Sequence, residues 1–511
     1  MEPLRYQDTR GLDATLPAFS GAVVKGIAEG GGLFIPESLP HLPLDDVLEL
    51  ADLPYWQRAA YLFGLFRVDV DDERIADLMR DAYGDAFDHP DVAHVEEVVA
   101  GTHVLELWHG PTSAFKDMAL QCMPPFFSEA IDIRRDAGEA VDDYLVLVAT
   151  SGDTGKAALE GFADREHTSI VVFYPAEGVS DIQRKQMVTQ RGRNVGVFGV
   201  RGNFDDCQTA VKAAFADPAF AAELHARGLA LSSANSINWG RLLPQIVYYA
   251  SAYADMVASG GVKAGEPLDI CVPTGNFGNI LAAYYAKRMG VPISRLLCAS
   301  NENNVLADFI ATGVYDISAR GFVTTPSPSM DILVSSNLER LLFELADARR
   351  VREWMARLAA DGRFQVDRET FAKVREHFSA DWVTNDESLA VVRQVWEEYG
   401  YLLDPHTAVA WEVAERLRGE DPVLVVSTAH WAKFGADVYR ALDSVGAGEP
   451  LPADVAGLSG VELLGRIADL APGASPVPHA LAELDGLPER FTGVVDAGKE
   501  GVEDAVREWL G

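Results

Sequence analysis

One lysine stands in company that a solvated surface lysine does not need. The stretch from 106 to 117 reads Glu-Leu-Trp-His-Gly-Pro-Thr-Ser-Ala-Phe-Lys-Asp. A Gly110-Pro111 turn and a Thr112-Ser113 pair able to cap a helix precede Lys116, and an apolar run from Met118 to Phe127 follows. This pattern predicts a helix packed into the core with Lys116 in its first turn. Burial and the positive end of the helix dipole both disfavour the ammonium form there. A lysine so placed is a candidate Schiff-base nucleophile. In isolation, a lysine whose stem merely covers apolar surface reads the same way.

A second motif bears on that choice. Leu268 to Val272 is a short apolar strand, followed by Pro273-Thr274-Gly275-Asn276-Phe277-Gly278-Asn279 and an apolar helix from Ile280 to Met289. Glycines at 275 and 278 let the main chain close around an anion at the helix N-terminus. The loop lacks the full GxGxxG spacing of a dinucleotide site, whereas a single phosphate fits. A phosphate cradle paired with a Schiff-base lysine makes pyridoxal phosphate the natural occupant.

Two further segments suit anions. Ser151-Gly152-Asp153-Thr154 follows the strand Tyr144 to Ala149 and opens a helix, so several backbone N–H groups converge on one spot. It is not a nucleotide loop: Thr150 replaces the first glycine of that motif and Ala157 the magnesium-binding hydroxyl. Ser233 to Arg241 contains Asn235, Asn238 and Arg241 just ahead of a long apolar helix, and an arginine there can grip two phosphate oxygens. Both segments are also what ordinary capped turns look like. Thr428, at the end of the apolar strand Val423 to Ser427, offers a hydroxyl to a ring nitrogen. His109, His406 and His430 lie near these motifs without HxxxH or HxH spacing, so no metal site is expected.

These groups need a scaffold that brings strand ends together. Apolar runs at Tyr144 to Ala149, Ile170 to Tyr174 and Val195 to Val200 alternate with helical patterns, which implies right-handed crossovers and parallel sheets buried on both faces. Ligands collect beyond the carboxyl ends of such strands. The expected organisation is an N-terminal domain over 1–100, with its Gly30-Gly31-Gly32 turn, and an αβα domain over 101–260. A second αβα domain spans 261–445 with an insertion at about 300–386, and 446–511 is a loosely packed tail with a helix from Val502 to Leu510.

The 511 residues are 48% hydrophobic and 23% charged, enough for several domains with ample core. No run of eighteen apolar residues and no signal peptide are read. The four cysteines, Cys122, Cys207, Cys271 and Cys298, are widely spaced, consistent with free thiols in a reducing cytoplasm. With 77 acidic against 43 basic residues, the net charge of −34 argues against nucleic acid and anionic membranes as partners. Any anion site must therefore be built locally.

Taken together, ELWHGPTSAFKD, TSGDTG, SANSINWGRLLPQ, PTGNFGN, SPSMDI, DPHTA and STAH-AKF closely resemble the threonine synthase family of the long bacterial and fungal type, in family order from Thr9-Arg10-Gly11 to Phe434. Trp431 stands where that family usually has proline, and Gly30 where it commonly has aspartate. The resemblance implies an α/β fold of the type II pyridoxal-phosphate class, similar to the tryptophan synthase β chain, with the active site between two parallel-sheet domains. It implies that Lys116 carries pyridoxal phosphate, that Gly275, Asn276, Phe277, Gly278 and Asn279 cradle its phosphate, and that Thr428 faces the ring nitrogen. The implied reaction is a lyase chemistry converting O-phospho-L-homoserine and water into L-threonine and phosphate. Substrate contacts are then expected from Ser151, Gly152, Asp153 and Thr154 to the carboxylate, and from Asn235, Asn238 and Arg241, with help from Ser327 to Ser329, to the leaving phosphate. A monomer is expected over a homodimer, without control by S-adenosylmethionine.

Overall fold

The computed structural model describes residues 2–176 and 178–511. Two sheets organise the chain. The larger has six strands in the order Phe378–Trp382, Ile293–Ser300, Leu268–Pro273, Val423–Ser427, Thr102–Glu106 and His94–Val99. The first five run parallel and the last, an edge hairpin strand, antiparallel. The smaller sheet is parallel throughout, with five strands in the order Val494–Asp496, Val195–Arg201, Thr168–Pro175, Asp143–Ala149 and Leu229–Ser232.

The central strands are apolar at successive positions because both faces are covered. Every residue of Leu268–Pro273 and Val423–Ser427 is buried, as two-sided helix packing demands. The helix Trp239–Ser259 is buried over almost its whole length; Asn238 caps its start and Gly260, in the left-handed region at φ 85°, its end.

Two expected boundaries move. The strand at 94–99 does not belong with the N-terminal domain, nor that at 102–106 with the domain that follows: Thr102–Glu106 pairs with Val423–Ser427 in the larger sheet and His94–Val99 pairs with Thr102–Glu106 at its edge. Nor are the last residues a loose tail. Val494–Asp496 adds a strand beside Val195–Arg201, and the helix Lys499–Leu510 packs on Phe204–Phe215 with Val502 and Val506 fully buried. The three-residue strand is too short, and the Gly, Ala and Pro content too high, for either partner to show in the sequence. The insertion after Ser300 ends in Phe378–Trp382, the edge strand of the larger sheet.

The N-terminal domain carries a small antiparallel pair, Tyr6–Asp8 with Phe34–Pro36, and the helices Tyr55–Leu65 and Asp72–Tyr83. It grips the insertion through Glu339, which accepts from Thr9 Oγ1 at 2.7 Å and from Arg10 at 2.9 Å. Among the described residues no helix is long and apolar enough to cross a membrane.

Candidate active site

Three neighbouring strands of the larger sheet deliver the expected cofactor residues at their carboxyl ends. Leu268–Pro273 runs into the Gly275 loop, Val423–Ser427 into Thr428, and Thr102–Glu106 into the segment that ends at Lys116. The last two loops are stapled together: Phe115 N donates to Thr428 O at 2.8 Å, His430 N to Ser113 O at 3.1 Å, and Ala114 bridges Ala429. Lys116 is thereby held beside the end of the central strand.

The local geometry differs from the helix start read in the sequence. Lys116 is the N-cap of a single turn, Asp117–Leu120, and a longer helix follows at Met123–Asp136. Thr112 and Ser113 do not cap it. Instead the buried Asp117 carboxylate accepts from Thr112 N at 2.8 Å and Thr112 Oγ1 at 2.6 Å, closing the turn on itself. Gly110 permits this, since a Cβ there would lie 2.5 Å from the Asp117 side chain. Ser113 and Phe277 both hold left-handed backbone, at φ 59° and 64°. Such strain in non-glycine residues costs about 1–3 kcal/mol and concentrates at functional sites.

Lys116 Nζ donates to Ser329 Oγ at 2.9 Å and lies 3.6 Å from Asp153 Oδ2, with the side chain buried. Burial pushes its amine down to about 8; the neighbouring Lys433 and Arg241 add to the depression and Asp153 opposes it. A four-residue turn carries little dipole, so desolvation does most of what the sequence reading shared between two causes. Asp153 is the pivot of the charges. It accepts from Lys433 Nζ at 2.8 Å and Gln183 Nε2 at 2.8 Å, and the Ser329 hydroxyl reaches its other oxygen at 3.2 Å. Burial alone would raise this carboxyl, but the ammonium groups of Lys433 and Lys116 overturn that and hold it well below the usual carboxylate range.

The Gly275 loop has the features of a phosphate cradle. Among the described residues, the amides of Gly275, Asn276, Phe277, Gly278 and Asn279 have no acceptor, and no side chain caps the helix Gly278–Met289. Asn279 Oδ1 takes the hydroxyls of Tyr248 at 2.6 Å and Tyr249 at 2.5 Å, which leaves its buried Nδ2 without a partner. Unsatisfied donors converging at a helix N-terminus suit a dianion. The loop is fixed from behind by Ser335 Oγ on Gly275 O at 2.8 Å and by Asn337 on Asn276 O. On its other side Gly275 abuts Ser329, where a Cβ would come within 2.8 Å of the carbonyl oxygen. Ser329 therefore touches the cradle with its backbone and Lys116 with its side chain. An aldehyde carrying a phosphate fits this pair of groups.

The expected substrate residues divide. Arg241 is buried, spends one nitrogen on Ala234 O at 2.8 Å and leaves Nε unpartnered. Burial lowers it to about 10, and its charge is felt at Lys116. Asn235 is exposed and its side chain accepts from Ser236 N. Asn238 is consumed: Oδ1 caps the Trp239 helix at Gly240 N, 2.9 Å, and Nδ2 donates to Val23 O at 2.8 Å. It is a helix cap and not an open phosphate contact. Asp153 cannot receive a substrate carboxylate either, being an anion neutralised by two lysines. Around it, Thr150 Oγ1 already occupies the amides of Gly152 and Gly155.

Sequence reasoning gave no role to Lys433 or Gln183, and to Ser329 only a share in phosphate binding. A lysine six residues beyond an apolar strand, set among Trp431, Ala432 and Phe434, was the available signal for Lys433, which the fold buries completely. Trp431, the departure from the family proline, is buried and donates Nε1 to Ser475 O at 3.0 Å, while Ser475 Oγ contacts His430 Nε2 at 3.1 Å. It ties the C-terminal region to the strand end that carries Thr428. The absence of a metal site was expected from the spacing of other histidines. His89, Asp91 and His94, however, bring ligand atoms within 4.8 Å of one another, a separation an ion could bridge.

Known proteins resemble this chain along most of its length. Residues 5–83 match the family described as threonine synthase N terminus, 103–429 the pyridoxal-phosphate dependent enzymes, and 407–506 the threonine synthase C-terminal family. The chain is 44% identical over 436 residues to human threonine synthase-like 1, covering 83% of this chain but only 58% of that protein. It is 37% identical to threonine synthase of Pseudomonas aeruginosa over 89% of this chain and 93% of that one. The structure of pyridoxal-phosphate-bound threonine synthase from Brucella melitensis superposes with a TM-score of 0.85 at 36% identity, covering 99% of both chains. Yeast threonine synthase gives 0.84 at 32%, over 99% of this chain and 98% of that one.

Proposed function

This chain belongs to the threonine synthase family, and on that premise we propose that it converts O-phospho-L-homoserine and water into L-threonine and phosphate, as a pyridoxal-phosphate-dependent lyase. The observation that carries the reading is the position of Ser329, in contact with Lys116 on one side and the Gly275 cradle on the other.

Pyridoxal phosphate, when bound, supplies the electron sink that makes protons next to the substrate amine acidic. The chain supplies the rest. Gly275 to Asn279 hold the phosphate through free amides, and Lys116 Nζ is the amine that attaches the cofactor. A hydroxyl at Thr428 stabilises a ring proton less than a carboxylate does, which favours elimination over deeper charge delocalisation. With its amine near 8, Lys116 is a base able to take and return protons at Cα and Cβ near neutral pH. Ser329 and Asp153 hold that nitrogen in place between transfers. The amides and hydroxyls of Ser151 and Thr154 receive the substrate carboxylate, the Gly152 amide being taken by Thr150 Oγ1. Arg241, with Asn235 at the rim, takes the departing phosphate. Four buried free thiols suit the cytoplasm, and the chain acts there as a monomer.

Incubation of the purified protein with pyridoxal phosphate and phosphohomoserine tests this reading. Equal amounts of L-threonine and inorganic phosphate are expected. Phosphate with 2-oxobutyrate in place of threonine would make the protein an eliminating lyase on the same fold.

A further inference from the structure

We infer that Asp404 and His406 form a buried positioning pair for Lys116, acting through Ser329. The inference rests on the reading of Lys116 as the working amine, and it concerns two side chains that touch neither the cradle nor the lysine.

Ser329 lies in a tight turn, Pro328–Met330, within a proline-bearing stretch that has little secondary structure of its own. Something must fix it if its hydroxyl is to stay 2.9 Å from Lys116 Nζ. The structure supplies one such contact from the far side. Ser329 N donates to His406 Nε2 at 3.1 Å, and His406 Nδ1 meets Asp404 Oδ1 at 2.7 Å. Both side chains are out of solvent, His406 at 1% and Asp404 at 0% exposure. The direction of these bonds is forced. An amide can only donate, so His406 Nε2 carries a lone pair and the ring proton sits on Nδ1, facing Asp404.

Asp404 is itself immobile, because it caps the helix Pro405–Leu417 by accepting from His406 N at 2.9 Å and Thr407 N at 3.3 Å. The pair is thus referenced to the larger sheet, where Thr407 Oγ1 reaches Ser427 Oγ at 3.0 Å beside Thr428. The Phe434 ring covers the imidazole at 4.7 Å. A second anchor, Asp331, receives Thr325, Asn301 and Asn303 and shapes the same stretch, but it reaches Ser329 only through the chain.

The consequence falls on the proton of Lys116. Ser329 Oγ accepts from Lys116 and donates to Asp153 Oδ2, so it relays the carboxylate's support to the ammonium across a direct gap of 3.6 Å. If the turn shifts, that relay is lost and the ammonium form is less favoured. The charged groups facing Lys116 are Asp153, Lys433 and Arg241; those near His406 are Asp404, Asp331 and Asp437.

The test needs no substrate. Lys116 in the cofactor-free protein is labelled with trinitrobenzenesulfonate over a range of pH, and its rate is read by peptide mass spectrometry. Ser329→Ala should lower the labelling midpoint by about one pH unit, a tenfold change in the amine equilibrium. His406→Leu should reproduce most of that fall, the double variant should add little to either, and His406→Gln, whose oxygen can accept in the place of Nε2, should stay near wild type. Asp404→Asn keeps a helix cap but removes the anion, and should give at least half the Ser329→Ala shift even if His406→Leu fails to fold. Threonine formation by the same variants should fall through kcat with KM retained. A midpoint unchanged in both His406→Leu and Asp404→Asn, or effects of His406→Leu and Ser329→Ala that simply sum, overturns the positioning role and leaves the reading of the active site intact. A wrong substrate reading would alter turnover alone.

Discussion

Lys433 Nζ and Asp153 Oδ1 lie 2.8 Å apart with neither side chain more than 2% exposed, which makes this a buried ion pair beside Lys116. The lysine's other partner is Thr112 O at 2.7 Å, in the turn that leads to Lys116. A buried cation and anion, each tied to a different strand end, bear on both the position and the protonation of Lys116.

Removing the anion should have two separable effects. In Asp153→Asn, Lys433 keeps a carbonyl but loses its counter-ion, and breaking a buried pair in this way costs about 3–5 kcal/mol. The Lys116 amine is held near 8 against an ordinary value of 10.5 by burial, with Lys433 and Arg241 lowering it and Asp153 raising it. Wild-type labelling should therefore rise with pH through a midpoint near 8, and the variant's midpoint should lie lower. Urea unfolding and the labelling profile measure the two effects independently; a raised midpoint would show that Asp153 is not the supporting charge.

Arg241→Ala removes a guanidinium near Lys116 that retains an unpartnered nitrogen. A hydrogen bond to a charged group is worth about 1.5–3 kcal/mol, so KM for phosphohomoserine should rise about 10- to 100-fold. Steady-state kinetics decide this, and unaltered constants would move the leaving phosphate elsewhere.

Gly275→Ala places a methyl group 2.8 Å from the Ser329 carbonyl, which is backbone and cannot swing aside. Overpacking of this kind costs about 1–3 kcal/mol. Pyridoxal phosphate affinity, measured by equilibrium dialysis, should weaken at least about fivefold, and the thermal midpoint should fall by about 1–3 °C.

Ending the chain after Gly493 removes Val502 and Val506, both fully buried, and exposes the edge of Val195–Arg201. Each such valine contributes about 1.5–3 kcal/mol, and the bared strand invites association. The truncated protein should melt several degrees lower and aggregate on scattering. Melting like the full chain would restore the expectation of a loosely packed tail.

Local signals served the sequence reading well where one strand, one loop and one helix followed each other. Val423–Ser427 and the Gly275 loop are of this kind, since apolar runs and glycine spacing are local properties. What escaped depended on distant partners. Asn238 looked like a ligand because a capping amide and a phosphate-binding amide are the same residue in the same place, and only Val23 O reveals which it is. Asp153 looked like part of an anion nest because nothing in its own loop announces Lys433 from another sheet. The expected boundary at 100 puts 94–99 with the N-terminal domain and 102–106 with the segment after it, since pairing of Thr102–Glu106 with Val423–Ser427 leaves no trace in either sequence.

The central claim is that Lys116, and no other amine, bonds the cofactor. Borohydride reduction of the holoenzyme followed by peptide mapping tests it directly. The account predicts a pyridoxyl group on the peptide containing Lys116; the same label on the peptide containing Lys433, or on none, would contradict it.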